Sequence, residues 1–87
     1  MTRSRARIIV QVLLLQVEAA LLGSETGFAA RIAVRTALAE LAKEAPEDEA
    51  MLSLVRAIEF EADRVEALGT GGLEAQLARA RSEVDDD

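Results

Sequence analysis

The stretch Ile8-Ile9-Val10-Gln11-Val12-Leu13-Leu14-Leu15-Gln16-Val17-Glu18-Ala19-Ala20-Leu21-Leu22 decides the fold. On a helical wheel at about 100° per residue, only Arg7, Gln11 and Glu18 align as a polar row, and Gln16 stands alone among Ile9, Val12 and Leu13. A helix that is apolar nearly all round is buried in a core, in a partner or in a membrane. This one is too short and too polar to span a bilayer, which needs about 20 mostly apolar residues. It therefore belongs at the centre of a bundle or in a self-association seam, and Ile8, Val12 and Leu15 are the candidates for that seam.

Working outward, the punctuation divides the chain into four helices. The first covers about Arg5 to Leu22 and stops at Gly23. In Gly23-Ser24-Glu25-Thr26-Gly27 a glycine ends one helix, and Ser24 or Thr26 caps the next. Helix two follows from about Gly27 to Glu44. Pro46 fits the first position of helix three, with Glu47, Asp48 and Glu49 favouring its positive dipole end. That helix is expected to run to Gly69. The turn Gly69-Thr70-Gly71-Gly72 then leads into a fourth helix, about Leu73 to Val84. No segment alternates with period two. The expected fold class is all-α, a compact bundle of three to four short helices forming a single domain over 1–87, with 1–4 and 85–87 frayed.

Composition narrows the function classes. A chain of 87 residues buries only roughly 60% of the surface it exposes unfolded, so a scaffold this small usually needs a staple. With no Cys and no His, disulfides, the usual zinc, copper and haem ligands and the Ser-His-Asp or Cys-His nucleophile sets are missing. No cofactor is expected. Self-association is the staple that remains, and an apolar content of 51% supplies surface for it. The net charge of −6 argues against direct nucleic-acid binding, which needs a basic surface; it suits a basic protein partner. Arg3, Arg5 and Arg7 before an apolar run have the outline of a secretory signal. Gln11, Gln16 and Glu18 interrupt that run and no A-x-A site follows it, so a charged lead-in on a cytoplasmic protein is expected instead. Neither glycine-containing linker has phosphate-loop spacing or follows a strand.

Three constellations invite a functional reading. On helix two, Arg31 and Arg35 sit at i, i+4 between the apolar flanks Phe28, Ile32, Ala39 and Val34, Leu38, Leu41. A guanidinium left unpaired in an apolar setting costs several kcal/mol. The pair is expected to meet carboxylates, Glu18 being the best internal candidate, or to reach water at a seam; otherwise it awaits an anionic ligand or a partner carboxylate. On helix three the core stripe reads Met51, Leu54, Val55, Ile58, Ala62 and Val65, and on helix four Leu73, Leu77, Ala80 and Val84. Leu52 and Phe60 fall off the helix-three stripe, and Phe60 is expected to be covered by a neighbouring helix. Glu59, Asp63 and Glu66 follow one side of helix three at i, i+4, i+7. Carboxylates in such rows can hold Mg²⁺ or Mn²⁺ when a second helix answers them, but here Arg56 and Arg64 intersperse and no facing acidic row is visible, so a solvated face is expected.

These readings point to a small acidic non-enzymatic interaction module, homodimeric and binding a larger protein that is basic or handles nucleic acid. Its size and charge are those of regulators and inhibitors from bacteria, phages or mobile elements, such as DNA-mimic and anti-CRISPR proteins, by analogy alone. Arg31, Arg35, Glu59, Phe60, Asp63 and Glu66 are the candidate partner-binding residues. The alternative is a metal-dependent all-α hydrolase of the nucleotide-pyrophosphatase type, using the helix-three carboxylates.

Overall fold

Among the described residues, five helices follow one another: α1 (Arg5–Gly23), α2 (Phe28–Glu44), α3 (Glu49–Ala62), the single turn α4 (Val65–Leu68) and α5 (Gly71–Asp85). They are seen in a computed structural model that describes residues 4–23 and 27–85. The fold is all-α, with no strand among the described residues. The caps expected at Ser24 or Thr26, and the ends at Arg3, Asp86 and Asp87, lie outside the described residues. Among the described residues, no helix is long and apolar enough to cross a membrane.

The four long helices pack in the cyclic order α1, α2, α3, α5. Neighbours run antiparallel. Arg5 at the start of α1 lies 3.6 Å from Glu44 at the end of α2, and Arg7 Nη1 donates to the Val84 carbonyl near the end of α5 at 3.3 Å. The result is an up-down-up-down four-helix bundle. Its interior is built from one repeated spacing. Ala6, Val10, Leu13 and Val17 point inward from α1, and Ala30, Val34, Ala37 and Leu41 from α2. Met51, Val55, Ile58 and Ala62 do so from α3, and Leu73, Leu77, Ala80 and Val84 from α5. Each set is spaced four, three, four residues apart, the period that keeps one face of a helix on its neighbours. Each large aliphatic side chain buried this way contributes about 1.5–3 kcal/mol.

Local signals set the helix ends, and several differ from the sequence expectation. Ser4, assigned to the frayed start, caps α1: its Oγ accepts from the Arg7 N–H at 3.2 Å. Asp85, assigned to the frayed end, closes α5 and accepts from Gln11 Nε2 at 3.2 Å. Pro46 does not open α3. It lies in a turn in which the Asp48 N–H bonds back to the Ala45 carbonyl, and the Asp48 carboxylate caps the helix by accepting from the Met51 N–H. Gly27 enters α2 with φ 75°, a left-handed conformation that is costly for residues with a Cβ; a Cβ here would also stand 3.0 Å from Val65 Cβ.

The expected third helix does not run unbroken to Gly69. It stops at Ala62 and resumes as α4, with Arg64 at the break. In a continuous helix the Phe60 carbonyl would accept the Arg64 backbone N–H. Instead the Arg64 guanidinium takes that carbonyl at 2.8 Å, and the backbone N–H turns to Glu61 at 3.1 Å. The side chain takes the place of its own backbone in the ladder.

Two core assignments also change. Leu52 is buried, because α3 is flanked by α2 on one side and α5 on the other and so hides a wider arc than a single stripe. On α2 the inward face is Ala30, Val34, Ala37 and Leu41, while Phe28, Ile32 and Ala39 are exposed. Ala30 and Ala37 are the small members of that inward face, 0% and 6% exposed.

Candidate interaction surface

The outer side of α1 is the most unusual surface of the molecule. Ile8, Val12, Leu15, Ala19 and Leu22 repeat at four, three, four, three residues, and every one is exposed. Leu15 is 62% exposed and Leu22 92%. The strip is about 21 Å long at 1.5 Å per residue and contains no charge. Of the residues expected in a self-association seam, Ile8, Val12 and Leu15 all lie on it. Two further members, Ala19 and Leu22, escaped the sequence reading, although continuing the same spacing finds both.

A shallow cleft opens at each end of the strip. At its amino end a cleft of about 230 Å³ runs between α1 and α2, bounded by Ile8, Val12, Gln16, Thr36, Ala37 and Glu40. At its carboxyl end another of about 350 Å³ lies between α1 and α5, among Leu21, Leu22, Leu77, Glu18, Glu74 and Arg81. Ile32, half exposed, stands one helical turn from Thr36 and extends the apolar area onto α2.

The polar row of α1 lines the seam with α5 and stays partly exposed. Arg7 bonds the Val84 carbonyl, Gln11 bonds Asp85 and Glu18 pairs with Arg81. The hydrogen bond and negative charge of Glu18 raise the Arg81 guanidinium above its ordinary pKa, with a smaller contribution from Asp85. This corrects the expected partnership of Glu18 with Arg31 and Arg35. The sequence carries no local signal for Arg81, since the pair closes across 63 residues.

Arg31 and Arg35 lie on the edge of α2 rather than in the middle of its buried face. Arg35 reaches over to α3, with Nε 3.9 Å from Glu59 and Nη2 3.9 Å from Asp63. Arg31 is half-buried, and its guanidinium carbon lies 6.0 Å from the Phe28 ring centre, at the outer limit of a cation–π contact. Phe60 is not covered by a neighbouring helix. It is 54% exposed and carries the Arg64 guanidinium on its face, 3.4 Å from the ring centre.

The acidic row is divided by the break at Asp63–Arg64. Glu59 ends with α3, and Glu66 belongs to α4. With Arg35 beside Glu59 and Asp63, three carboxylates do not converge, and no group of three or more His, Cys, Asp or Glu among the described residues is placed to hold a metal ion. No protein-family model, curated protein or solved structure matches this chain.

Proposed function

We propose that this chain is a protein–protein interaction module that acts by binding, with the outer face of α1 as its contact surface. The uncharged strip from Ile8 to Leu22, exposed along its whole length, supports this reading. Isolated exposed apolar residues are ordinary; a contiguous strip of this kind has the size of the largest apolar patch on a typical monomer, and such patches are often functional. A binding role of this type fits a regulator or inhibitor, whose activity is set by what it covers.

The acidic side of α3 offers a weaker basis for docking a basic partner. Arg35 already answers Glu59 and Asp63, and Arg64 already covers the face of Phe60. The hydrolase alternative has no observation in its favour, because the helix-three carboxylates meet arginine rather than a second acidic row.

A photoreactive amino acid placed at position 15, compared with one at the exposed Glu66, tests the proposal in cells expressing the protein. A protein adduct at position 15 and not at position 66 is the expected result. Equal labelling at both positions, or none at position 15, overturns it.

A further inference from the structure

We infer that the occupant of the α1 strip is a second copy of this chain, laid antiparallel across a two-fold axis near Leu15. The inference rests on the interaction reading above and goes further by naming the partner and its orientation.

Three observations carry it. First, the spacing Ile8, Val12, Leu15, Ala19, Leu22 is that of a helix–helix seam, and the inner face of the same helix uses it to pack against α2 and α5. A surface of this period is complementary to another helix carrying an uncharged stripe of the same period. Among the described residues, the other outward faces lack a run of large aliphatic side chains: α2 carries Ala29, Ile32, Thr36 and Ala39 at the same period but with Ile32 as its one large apolar member, and Arg56 and Arg64 flank Phe60 on the α3–α4 side. A second α1 has such a run, and isologous pairing is the commonest closed arrangement.

Second, the area suffices. With Ile8, Val12 and Leu15 about half exposed and Leu22 92% exposed, the strip is on the order of the largest apolar patch of a typical monomer, about 300–600 Å². Two copies pressed together, with the stems of Gln11 and Gln16 included, bury about 1,000 Å², the lower bound for a specific interface. A micromolar dimer is the matching expectation.

Third, charge sets the direction. Arg5 continues the three–four spacing at the amino end of the strip, and although it lies 3.6 Å from Glu44 its side chain stays 71% exposed, so part of its charge faces the seam. A parallel pair would set the two Arg5 side chains against each other. An antiparallel pair moves them to opposite ends of the seam and also opposes the two helix dipoles.

The chain has no cysteine, so single cysteines report the geometry directly. Sedimentation of the wild-type protein from low micromolar to millimolar concentration should show a monomer–dimer equilibrium. Leu15→Glu should weaken it by roughly thirtyfold or more, as loss of a central contact does, with unchanged helical circular dichroism because Leu15 is outside the core. Because each copy carries −6, added salt should tighten the dimer by screening repulsion; docking of a basic partner on acidic residues would respond in the opposite sense.

Under a short bismaleimide, Leu15→Cys should cross-link into a covalent dimer. Ile8→Cys should not, because an antiparallel pair holds its two copies about 21 Å apart. Efficient cross-linking of both variants means a parallel pair and overturns the inference. So does a wild-type protein that stays monomeric throughout, or a Leu15→Glu variant that still dimerises. Should the position-15 photoadduct contain an unlike protein, the second-copy inference falls while the interaction reading stands; with no adduct, both fall.

Discussion

The inner stripe of α1, Ala6-Val10-Leu13-Val17, and its outer stripe, Ile8-Val12-Leu15-Ala19, share the same spacing and a similar set of aliphatic side chains. The inner residues are no more than 2% exposed, whereas Ile8, Val12 and Leu15 range from 46% to 62%. Hydrophobic period therefore says that a face can be buried, not that it is. What separates the two stripes is the number of neighbours: in a ring of four helices α1 is flanked by α2 and α5, and no further helix reaches its far side. The far side stays exposed.

Substitutions in matched positions of the two stripes should break the comparison most sharply. Leu13→Ala leaves a cavity in a close-packed interior and is expected to cost about 2–5 kcal/mol. In dilute solution, where any dimer is dissociated, Leu15→Ala should stay within about 0.5 kcal/mol of wild type. Urea unfolding of both variants at sub-micromolar concentration measures the difference. If Leu15→Ala loses as much as Leu13→Ala, the outer stripe is part of the monomer core and the contrast disappears.

A smaller effect is expected at Gly27, whose left-handed backbone lets the start of α2 lie against Val65 and so helps set which face of α2 turns inward. Gly27→Ala should cost about 1–2 kcal/mol from backbone strain, with some addition from the contact at Val65 Cβ. A thermal melt unchanged from wild type would show that α2 enters the bundle another way. Below that comes Asp48→Ala, which removes the cap on the Met51 N–H and should cost about 1 kcal/mol, readable as faster hydrogen exchange in the first turn of α3.

The smallest effect belongs to the seam between α1 and α5. Glu18 and Arg81 are each more than 40% exposed, so solvent screens the pair and little stability rests on it. Glu18→Ala should therefore shift the urea midpoint only slightly, far less than the loss of a buried ion-pair partner. A loss of several kcal/mol would mean that the polar row of α1 is as decisive as its inner stripe.

Much of the architecture is legible in the residues. The α3 positions Met51, Leu54, Val55, Ile58 and Ala62 and the α5 positions Leu73, Leu77, Ala80 and Val84 are buried as their spacing requires. The glycines at 23 and 69 fall where helices end. Illegible parts were those in which a side chain competes with the backbone or a distant element intervenes. At the break after α3 the Arg64 side chain holds the Phe60 carbonyl, and composition gives no hint of it. Ala30 and Ala37 carry too little hydrophobicity to mark a core face on a wheel, yet both are buried. For the candidate surface, the apolar girdle of α1 from Ile8 to Leu22 was evident at once, but not that Ala19 and Leu22 stay exposed on the same strip as Ile8, Val12 and Leu15.

The sequence by itself determined that the chain is helical, where most of its helices begin and end, and that α1 has more apolar surface than one helix face can use. These follow from local propensity, capping and periodicity, which act over a few residues. Only the tertiary structure decided which part of that surface is spent inside. It set the polar row Arg7, Gln11 and Glu18 against α5 and left the apolar strip open, the reverse of what amphipathicity alone would choose. The reason is physical: burial depends on which neighbours the ring of helices brings to each face, and those neighbours come from parts of the chain that no local pattern connects.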